Sequence, residues 1–551
     1  MDYLGRKRTV TLFWVFVLIL LGLMGHLAYI QVYSGDFLSE RAITQQTQTV
    51  SLEVPPRGQI LDRKLRPLTA HRVVWRIIVF PAAAADRDRE SRALASALNK
   101  SNKETAPYFA VGAGMLPYDL NDEQAAQIRK LNLPGVIVAK AEIQSRKPAL
   151  ASHLLGYLGK TENNRWQGQM GIEAFYDREL QSDVPAELAR VFLDARGQYI
   201  SGLGIQVAQG LQDKNRNNVV LTIDRDLQAI AENVLDKSGV EDGAAVVMDI
   251  RSGDIVAMAS RPDYTVDAEV YNQLNPSPVK QSFLNHSLSF YQPGSVFKVI
   301  VAAAALEEGI VNPDTVFLCV GEKDELVKCY NKTGHGLITF AQAVAYSCNP
   351  TFARVGLQLG AEKLVRYAEK FGLANASIIG YKKSNLSTEL KMIAQPNSLV
   401  NASLGQWPVR ASVVQITAMM AVIANDGVYV PPRLVSEISN SAGGAVKKIE
   451  PGQKTRAVSK ASADVMKTML EMVTKYGTGK LAFVSNGGSA GKTGSAQVGD
   501  EKVDAWFSGY APINNPRYAA TVLVNDGESG GQTAAPLFRE IMQEILAKEL
   551  N

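Results

Sequence analysis

Three short motifs in the chain contain the side chains from which a covalent acyl-transfer site could be built. In the first, Ser295 and Lys298 have the spacing S-x-x-K after a Pro293-Gly294 turn, at the start of a helix-forming segment. Because residues i and i+3 share a helix face, the Lys298 amine can meet the Ser295 hydroxyl. A serine hydroxyl is a weak nucleophile until a nearby base takes its proton. The spacing therefore predicts Ser295 as the nucleophile and Lys298 as its base.

The second and third motifs supply further polar groups. Ser347 and Asn349 flank Cys348 where two predicted helical segments are interrupted, so both polar side chains can point into one cleft. The third motif is a run of four residues: Lys492, Thr493, Gly494 and Ser495. A short loop and a strand-like segment follow, which predicts that this lysine lies on an accessible strand. The first two motifs can each be read alone as a helix cap or a loop cap, whereas all three in this order indicate one site.

Other copies of the motifs lack this local context. S-x-x-K recurs at Ser277–Lys280, in a polar segment beside a proline, and at Ser489–Lys492, in a glycine-rich turn. K-T-G recurs at Lys332–Gly334, in a turn with no predicted strand on either side. The flanking sequence therefore favours Ser295 as the nucleophile, and the earlier K-T-G copy is interpreted as a chance match.

Composition excludes several other classes of protein. The chain has 551 residues, 46% of them hydrophobic and 20% charged, which indicates a folded multidomain protein. A net charge of +4 provides no strong field for nucleic acid. Five histidines without paired spacing and three cysteines do not resemble a metal enzyme or a Cys-rich zinc module, so no metal is expected. Cys319 and Cys329 could form a disulfide or remain two buried thiols, and Cys348 is then left over.

The N-terminal sequence predicts a membrane anchor. Residues 10–30 contain no charge, and about 20 apolar residues span the hydrocarbon core of a bilayer. No small-residue cleavage site follows, so we expect an uncleaved single-pass anchor at 10–32; the alternative is a buried core helix. Basic residues precede the anchor, and the positive-inside rule therefore predicts a cytoplasmic tail at 1–9 and everything after Tyr33 outside the cytoplasm.

Hydrophobic patterning divides the rest of the chain into two parts. Residues 36–205 mix short strand-like and helix-like segments and predict a spacer domain without catalytic constellations. A Gly-, Gln- and Asn-rich stretch at 202–218 indicates the boundary, and a second domain is expected at 215–551. In that domain strands precede and follow a block of helices, which predicts an α/β (α+β) architecture with an antiparallel sheet flanked by helices.

Individual elements of the second domain can also be predicted. An amphipathic helix is expected to end at Lys237, and the closing helix to begin at Pro536. The other helices are expected at Val296–Glu308, Ala341–Leu359, Ala361–Phe371, Val413–Asn425 and Ala463–Thr474. Strands are expected at Ala244–Ile250, Ile255–Ser260, Asp504–Ala511 and Arg517–Asn525, the first two as a hairpin.

Together these residues resemble the class B penicillin-binding proteins, which are membrane-anchored peptidoglycan D,D-transpeptidases. The three motifs are those of penicillin-binding proteins and class A β-lactamases, with Ser-Cys-Asn here in place of Ser-Asp-Asn. The likeness extends through PPRGQILDR, HLLGYLG, GIEAFYDREL, LTIDRDLQ, MDIRSGDIVAMAS, PGSVFK, GTGKLA, KTGSA and AWFSGY. Arg410-Ala411 departs from the usual Thr-Pro. The resemblance implies a penicillin-binding/serine β-lactamase-like transpeptidase domain after a pedestal domain of the dimerisation type.

The resemblance also implies a role for each residue of the first two motifs. Ser295 attacks the carbonyl between the two terminal D-alanines of a stem peptide, and neutral Lys298 takes its proton. Burial and the nearby cation Lys492 are both expected to lower the pKa of Lys298. Ser347 passes a proton to the leaving D-alanine, and Asn349 holds the amide of the donor peptide.

The third motif is expected to bind the substrate carboxylate. The resemblance assigns that role to Lys492, Thr493, Gly494 and Ser495, and assigns the oxyanion hole to the backbone N–H groups of Ser295 and Ser495. An amine from a second stem peptide then attacks the acyl-enzyme, without a metal or an organic cofactor. β-Lactams are expected to acylate the same serine. The expected partner is a polytopic membrane glycosyltransferase, and no nucleic acid is involved.

Two other functions remain open at the level of sequence. A D,D-carboxypeptidase or β-lactam hydrolase would form the same acyl-enzyme and use water as the acceptor. A non-catalytic β-lactam-binding scaffold would use the same cleft for recognition only. The anchor and the long pedestal favour wall synthesis over a diffusing hydrolase, and the nine residues before the anchor leave no room for a cytoplasmic output domain.

Overall fold

The computed structural model of the chain resolves into two compact units. It describes residues 3–33, 35, 38, 43, 46–145, 150–161, 165–182, 185–210, 216–264, 283–374, 386–499 and 502–550. The first unit is built from Met1–Arg57, His71–Gln144 and Ser182–Asp213, and the second from Gly58–Ala70, Ser145–Gln181 and Lys214–Asn551. Parts of the segment predicted as a spacer therefore belong to the second unit, and the domain limits 36–205 and 215–551 stay a prediction.

The N-terminal helix α1 is exposed and apolar. Helix α1 covers Tyr3–Ala28 and continues as a π-helical turn over Tyr29–Tyr33. Within the described part of the chain, the segment Lys7–Tyr33 is long and apolar enough to cross a membrane, and none of its most apolar stretch is buried. A buried core helix is therefore excluded, and the helix fits a single-pass anchor.

The first unit contains two small sheets with helices beside them. Its other described helices are α2 (Arg87–Ala97), α3 (Asn102–Ala110) and α4 (Asp122–Lys130). Its described strands are β1 (Thr47–Ser51), β2 (Glu53–Val54), β4 (Ala70–Val79), β5 (Gly114–Met115), β6 (Val136–Ser145), β9 (Glu187–Phe192) and β10 (Ile205–Gln209). They pair in the orders β1-β9-β10 and β2-β6-β4-β5.

The second unit carries the helical block that the sequence predicts. Its described helices before this block are α5 (Ser152–Leu155), α6 (Gly171–Phe175), α7 (Asp177–Leu180) and α8 (Arg225–Lys237). The following helices are α9 (Lys298–Glu307), α10 (Phe340–Ala345), α11 (Asn349–Leu359), α12 (Ala361–Lys370), α13 (Leu386–Lys391), α14 (Ser398–Ser403), α15 (Val413–Ala424), α16 (Lys460–Lys475) and α17 (Ala535–Leu550). The predicted segment Ala341–Leu359 is divided into α10 and α11, because the second motif interrupts it.

The strands of the second unit form one large antiparallel sheet and several small ones. The large sheet contains β12 (Gly243–Asp249), β13 (Ile255–Arg261), β20 (Ala490–Val498), β21 (Lys502–Ala511) and β22 (Tyr518–Val524). The remaining described strands are β3 (Ile60–Leu61), β7 (Leu158–Lys160), β8 (Trp166–Gly168), β11 (Asn217–Leu221), β14 (Val316–Cys319), β15 (Gly336–Thr339), β16 (Val428–Tyr429), β17 (Val435–Asn440), β18 (Ala445–Lys448) and β19 (Thr455–Arg456). The large sheet has the order β13-β12-β22-β21-β20, so β20 is an edge strand.

Both faces of the large sheet are covered by helices. Along β12, Ala244 and Val246 pack into one hydrophobic cluster, and Ala245 and Val247 pack into another on the opposite face. Helix α15 covers the first face and is buried throughout, while α8 and α17 cover the second. Because both faces are buried, the sequences of these strands are nearly continuous apolar runs. The predicted antiparallel sheet flanked by helices is confirmed.

Candidate active site

A tight turn presents Ser295 at the start of a buried helix. Gly294–Phe297 form a single 3₁₀ turn that leads directly into α9. Gly294 has a φ of +53°, which glycine adopts without strain, and its N–H donates to the Gly405 carbonyl at 3.0 Å. Ser295 is half-buried, whereas Lys298 is completely buried. The S-x-x-K motif thus places a half-buried hydroxyl and a completely buried amine one helical turn apart, but within the described residues the hydrogen bonds of Lys298 Nζ go to the second motif and not to Ser295 Oγ.

The Lys298 amine connects the first motif to the second. Its Nζ donates to the Ser347 carbonyl at 2.9 Å, to the Ser347 hydroxyl at 3.4 Å and to Oδ1 of Asn349 at 2.7 Å. These contacts use the three protons of a lysine ammonium. The structure therefore brings Ser347 and Asn349 to the base predicted from sequence.

Ser347 adopts a backbone conformation that is unusual for a residue with a side chain. It lies between α10 and α11 with a φ of +56°, in the left-handed region. Its hydroxyl also accepts a hydrogen bond from the Lys492 Nζ at 2.8 Å. One hydroxyl thus contacts the amines of the first and third motifs, and the surrounding contacts maintain the strained backbone conformation at Ser347.

The third motif lies on the edge strand β20, against the nucleophile turn. A Cβ atom at Gly494 would be 2.6 Å from the Pro293 carbonyl oxygen, so the close approach requires glycine. The Thr493 hydroxyl is 2.7 Å from the Thr478 hydroxyl, and the Ser495 hydroxyl accepts from the Gly530 N–H at 3.1 Å. Lys492 lies on a strand as predicted, but the first five residues of β20, Lys492 among them, are buried, so the expectation of an accessible strand at this residue was wrong.

A cavity of about 380 Å³ opens above these groups. It is lined by Ser295, Tyr330, Ser347, Asn349, Thr478, Thr493, Ser495, Ser529, Gly531 and Gln532. Five of these residues were predicted from the motifs, and Lys298 and Lys492 lie buried beneath them. Sequence reasoning missed the other five. Thr478 lies in the family-like segment GTGKLA, and the last three follow the final strand of the sheet, where only their polar, glycine-rich sequence could have indicated them.

Burial changes the pKa values of both lysines. Loss of solvent around Lys298 lowers the pKa of its amine to about 7, because the charged form is disfavoured without water. Burial and the repulsion of the Lys298 ammonium lower the pKa of Lys492 well below its usual value. The expectation for Lys298 is thus met through burial, while the repulsion between the two lysines acts on Lys492.

The other motif copies within the described part of the chain do not form a comparable site. The Ser489 hydroxyl donates to the Ala482 carbonyl and accepts from the Val484 N–H, so it stabilises a buried turn. The copy at Ser277–Lys280 lies outside the described residues. The copy at Lys332–Gly334 lies in the loop between β14 and β15, so the expectation that no strands flank it was wrong.

The three cysteines occur as free, buried thiols. The disulfide alternative for Cys319 and Cys329 is therefore not realised. The ligand atoms of both residues, of Cys348 and of His335 all lie within 4.8 Å of one another. The spacing of these residues in the sequence did not indicate that they meet.

Comparison with known proteins agrees with this geometry. A family model described as "Penicillin binding protein transpeptidase domain" matches residues 243–543, and one described as "Penicillin-binding Protein dimerisation domain" matches residues 52–212. The chain is similar to Stage V sporulation protein D of Bacillus subtilis, at 30% identity over 98% of this chain and 85% of the relative. It is also similar to peptidoglycan D,D-transpeptidase FtsI of Escherichia coli K12, at 26% identity over 95% and 89% of the two chains.

A solved structure shows the same fold. It is the D,D-transpeptidase domain of a peptidoglycan glycosyltransferase from Eggerthella lenta, which matches with a TM-score of 0.60 and 28% identity over 75% of this chain and 94% of the other. The transpeptidase model alone covers more than half of the chain, and its range contains all three motifs. The chain therefore belongs to the class B penicillin-binding proteins.

Proposed function

We propose that the chain is a peptidoglycan D,D-transpeptidase that works through an acyl-enzyme at Ser295. The observation that carries the proposal is the buried hydrogen-bond path from Lys298 through the Ser347 hydroxyl to Lys492, beneath the cavity that Ser295 lines. Two similar proteins, FtsI of Escherichia coli and MrdA of Haemophilus influenzae, are named peptidoglycan D,D-transpeptidases, which supports the reaction type.

Acylation begins when Ser295 Oγ bonds to the carbonyl carbon of the penultimate D-alanine. The hydroxyl proton passes to Lys298, which can accept it only as the neutral amine. With the pKa of Lys298 lowered to about 7, a large fraction of the amine is neutral at physiological pH. The backbone N–H groups of Ser295 and Ser495 are assigned to the developing oxyanion, by resemblance to the family.

Release of the terminal D-alanine needs a proton on its nitrogen. The C–N bond breaks as that nitrogen takes the proton, and the Ser347 hydroxyl is assigned to deliver it because it contacts both buried amines. Asn349 is half-buried at the cavity wall, where its amide can orient the donor peptide.

The substrate carboxylate is assigned to the third motif. Thr493 and Ser495 line the cavity, and the side chain of the neighbouring Lys492 is buried. A bound carboxylate favours the charged form of a neighbouring amine, so substrate binding raises the pKa of Lys492 again. Gly494 allows the strand to lie against the nucleophile turn.

The three functions that remained open differ in what, if anything, accepts the acyl group from Ser295. In transpeptidation the amine of a second stem peptide attacks the acyl carbon, forming a cross-link and restoring Ser295. In a carboxypeptidase or lactamase, water takes that place, and in a scaffold no turnover follows. Incubation with a D-Ala-D-Ala donor and an amine acceptor should yield the cross-linked amide in excess over the hydrolysed acid; hydrolysis alone would contradict the proposal.

Fluorescent penicillin tests the nucleophile directly. The wild-type protein should become covalently labelled, and Ser295→Ala should lose all labelling while remaining folded by circular dichroism. Ser277→Ala, which removes the serine of another S-x-x-K copy, serves as the matched control and should label normally. Labelling of Ser295→Ala would assign the nucleophile to another residue.

The topology and the partner are also part of this proposal. The basic residues Arg6, Lys7 and Arg8 before the apolar run support a cytoplasmic N-terminus with the chain after Tyr33 on the outer side. Because glycan strands must exist before they are cross-linked, a polytopic membrane glycosyltransferase is the proposed partner, contacted through the anchor and the pedestal. Externally added protease should cleave the chain in intact spheroplasts; full protection would reverse the orientation.

A further inference from the structure

Four metal-ligating side chains from three separate segments meet beside the second motif. Cys319 ends β14, Cys329 and His335 lie in the loop before β15, and Cys348 caps the start of α11. Their ligand atoms all lie within 4.8 Å of one another, and Cys329 Sγ is 3.6 Å from His335 Nδ1. In a tetrahedral zinc site with Zn–S near 2.3 Å and Zn–N near 2.0 Å, neighbouring ligand atoms are about 3.6–3.8 Å apart. The largest distance between ligand atoms in the cluster, at most 4.8 Å, is only about 1 Å longer than these distances.

A hydrogen-bond donor lies beside one of the clustered sulfur atoms. The Cys348 sulfur accepts a hydrogen bond from the Thr351 hydroxyl at 3.3 Å. Donors of this kind support a metal-bound thiolate, which is the form of cysteine that binds zinc.

The segments that carry the ligands are held tightly together. Gly321 and Gly334 both have positive φ values, and a Cβ atom on either would collide with backbone of the other segment. The Glu322 N–H donates to the Lys332 carbonyl at 3.0 Å, and the Cys329 N–H donates to the Gly321 carbonyl at 3.2 Å. The imidazole of His335 is fixed by neighbouring aromatic rings, stacked on Tyr346 and edge-on to Tyr330.

We propose that Cys319, Cys329, His335 and Cys348 bind one zinc ion through three thiolates and the Nδ1 atom of His335. With four protein ligands this is a closed, structural site. Binding displaces the thiol protons and leaves no coordination position for substrate. The inference is independent of the reaction assigned to Ser295.

The position of the site gives the metal a role in shaping the cavity. Cys348 lies between Ser347 and Asn349, so coordination would tie the second motif to the β14–β15 loop. The same loop contacts the motif through Asn349 Nδ2, which donates to the Lys328 carbonyl at 3.3 Å. It also contributes Tyr330 to the cavity wall. The bound ion therefore acts as a positioning element for the proton-transfer residue.

The first test is metal content. The full chain, purified in detergent without a polyhistidine tag, should contain about one zinc per molecule by inductively coupled plasma mass spectrometry. Cys319→Ser and His335→Ala should each lose most of that zinc. His71→Ala changes a histidine remote from the cluster in the sequence and should retain it. Wild-type protein that binds no zinc even after incubation with ZnCl₂, or variants that keep stoichiometric zinc, would overturn the proposal.

A second measurement uses the wild-type protein, so that it does not depend on a variant folding. Titration with a mercurial reagent should release one zinc as three thiols are modified, detected by a metallochromic dye. Alkylation under denaturing, non-reducing conditions should label all three cysteines; two unlabelled cysteines would indicate a disulfide and overturn the site. Zinc removal should also lower the melting temperature and slow penicillin acylation. Unchanged values of both would overturn the positioning role.

Discussion

Two lysines share one serine hydroxyl at the centre of the site, and this arrangement explains why the motifs occur together. Either amine, if it were buried without a hydrogen-bond partner, would lower the stability of the folded protein. Lys298 and Lys492 instead both donate to Ser347, while burial lowers the pKa of both amines and the Lys298 ammonium lowers that of Lys492 further. Burial thus produces a neutral base at physiological pH and a hydrogen-bonded route for its proton.

The pH dependence of acylation follows from the pKa of Lys298. Because burial lowers that pKa to about 7, the amine is protonated and inactive as a base below pH 7 and neutral above it. The second-order rate constant for penicillin acylation should therefore rise with pH and level off above about 7. Stopped-flow acylation from pH 5.5 to 9 measures this profile. Lys298→Ala should lose most acylation at pH 7 and the inflection with it; a flat wild-type profile would remove Lys298 from the base role.

The left-handed backbone at Ser347 permits a comparison of two substitutions. Ser347→Ala and Ser347→Gly both remove the hydroxyl, so both should slow acylation by about 10²-fold or more. Only glycine relieves the backbone strain, which costs roughly 1–2 kcal/mol for a residue with a side chain. Denaturant unfolding should find Ser347→Gly the more stable of the two variants. Equal stability would show that the conformation at φ +56° carries no strain.

At the scale of elements, the site depends on how closely β20 approaches the turn before α9. Gly494 lies against Pro293 and Val296. A Cβ atom added at Gly494 would be 2.8 Å from Val296 Cγ2. The distance between the nucleophile and the strand is therefore set by the absence of a side chain at one position.

Gly494→Ala should displace the strand from the nucleophile turn. We expect a loss of stability of about 1–3 kcal/mol from overpacking and at least a tenfold slower acylation. Gly202→Ala is the matched control, since an added Cβ atom there meets nothing within 4 Å. Chemical denaturation and penicillin labelling kinetics measure the two effects, and identical behaviour of both variants would contradict the packing argument.

At the scale of the whole molecule, the exposed apolar surface is concentrated in α1. Leu12, Phe16 and Leu18 are each more than 60% exposed, as expected for side chains that contact lipid. Each compact unit has its own buried cores and needs no contribution from that helix.

Removal of the anchor should therefore leave the catalytic chemistry intact. A chain that begins at Gly35 should remain in the supernatant after ultracentrifugation without detergent and should still be labelled by fluorescent penicillin. The full-length chain under the same conditions should sediment with the membranes. An aggregated or unlabelled shortened chain would show that the anchor contributes to folding.

Local sequence was sufficient for the elements and for much of the site. The amphipathic helix ending at Lys237, the hairpin of β12 and β13 and the helix after Ser295 all follow from periodicity, turn residues and i to i+3 spacing. These features depend on contacts between residues close in the chain, so the sequence determined them directly. The interruption of the two helical segments at the second motif, where Ser347 lies, was likewise expected from the sequence.

Only the tertiary structure decided which distant groups meet. Lys298 and Ser347 are 49 residues apart, and Ser347 and Lys492 are 145 apart, so no local pattern places one hydroxyl between two amines. Thr478 and the four-ligand cysteine and histidine cluster were missed for the same reason. The burial that lowers the pKa of Lys298 is a property of the packed core, and it exists only once helices and sheet have closed around the amine.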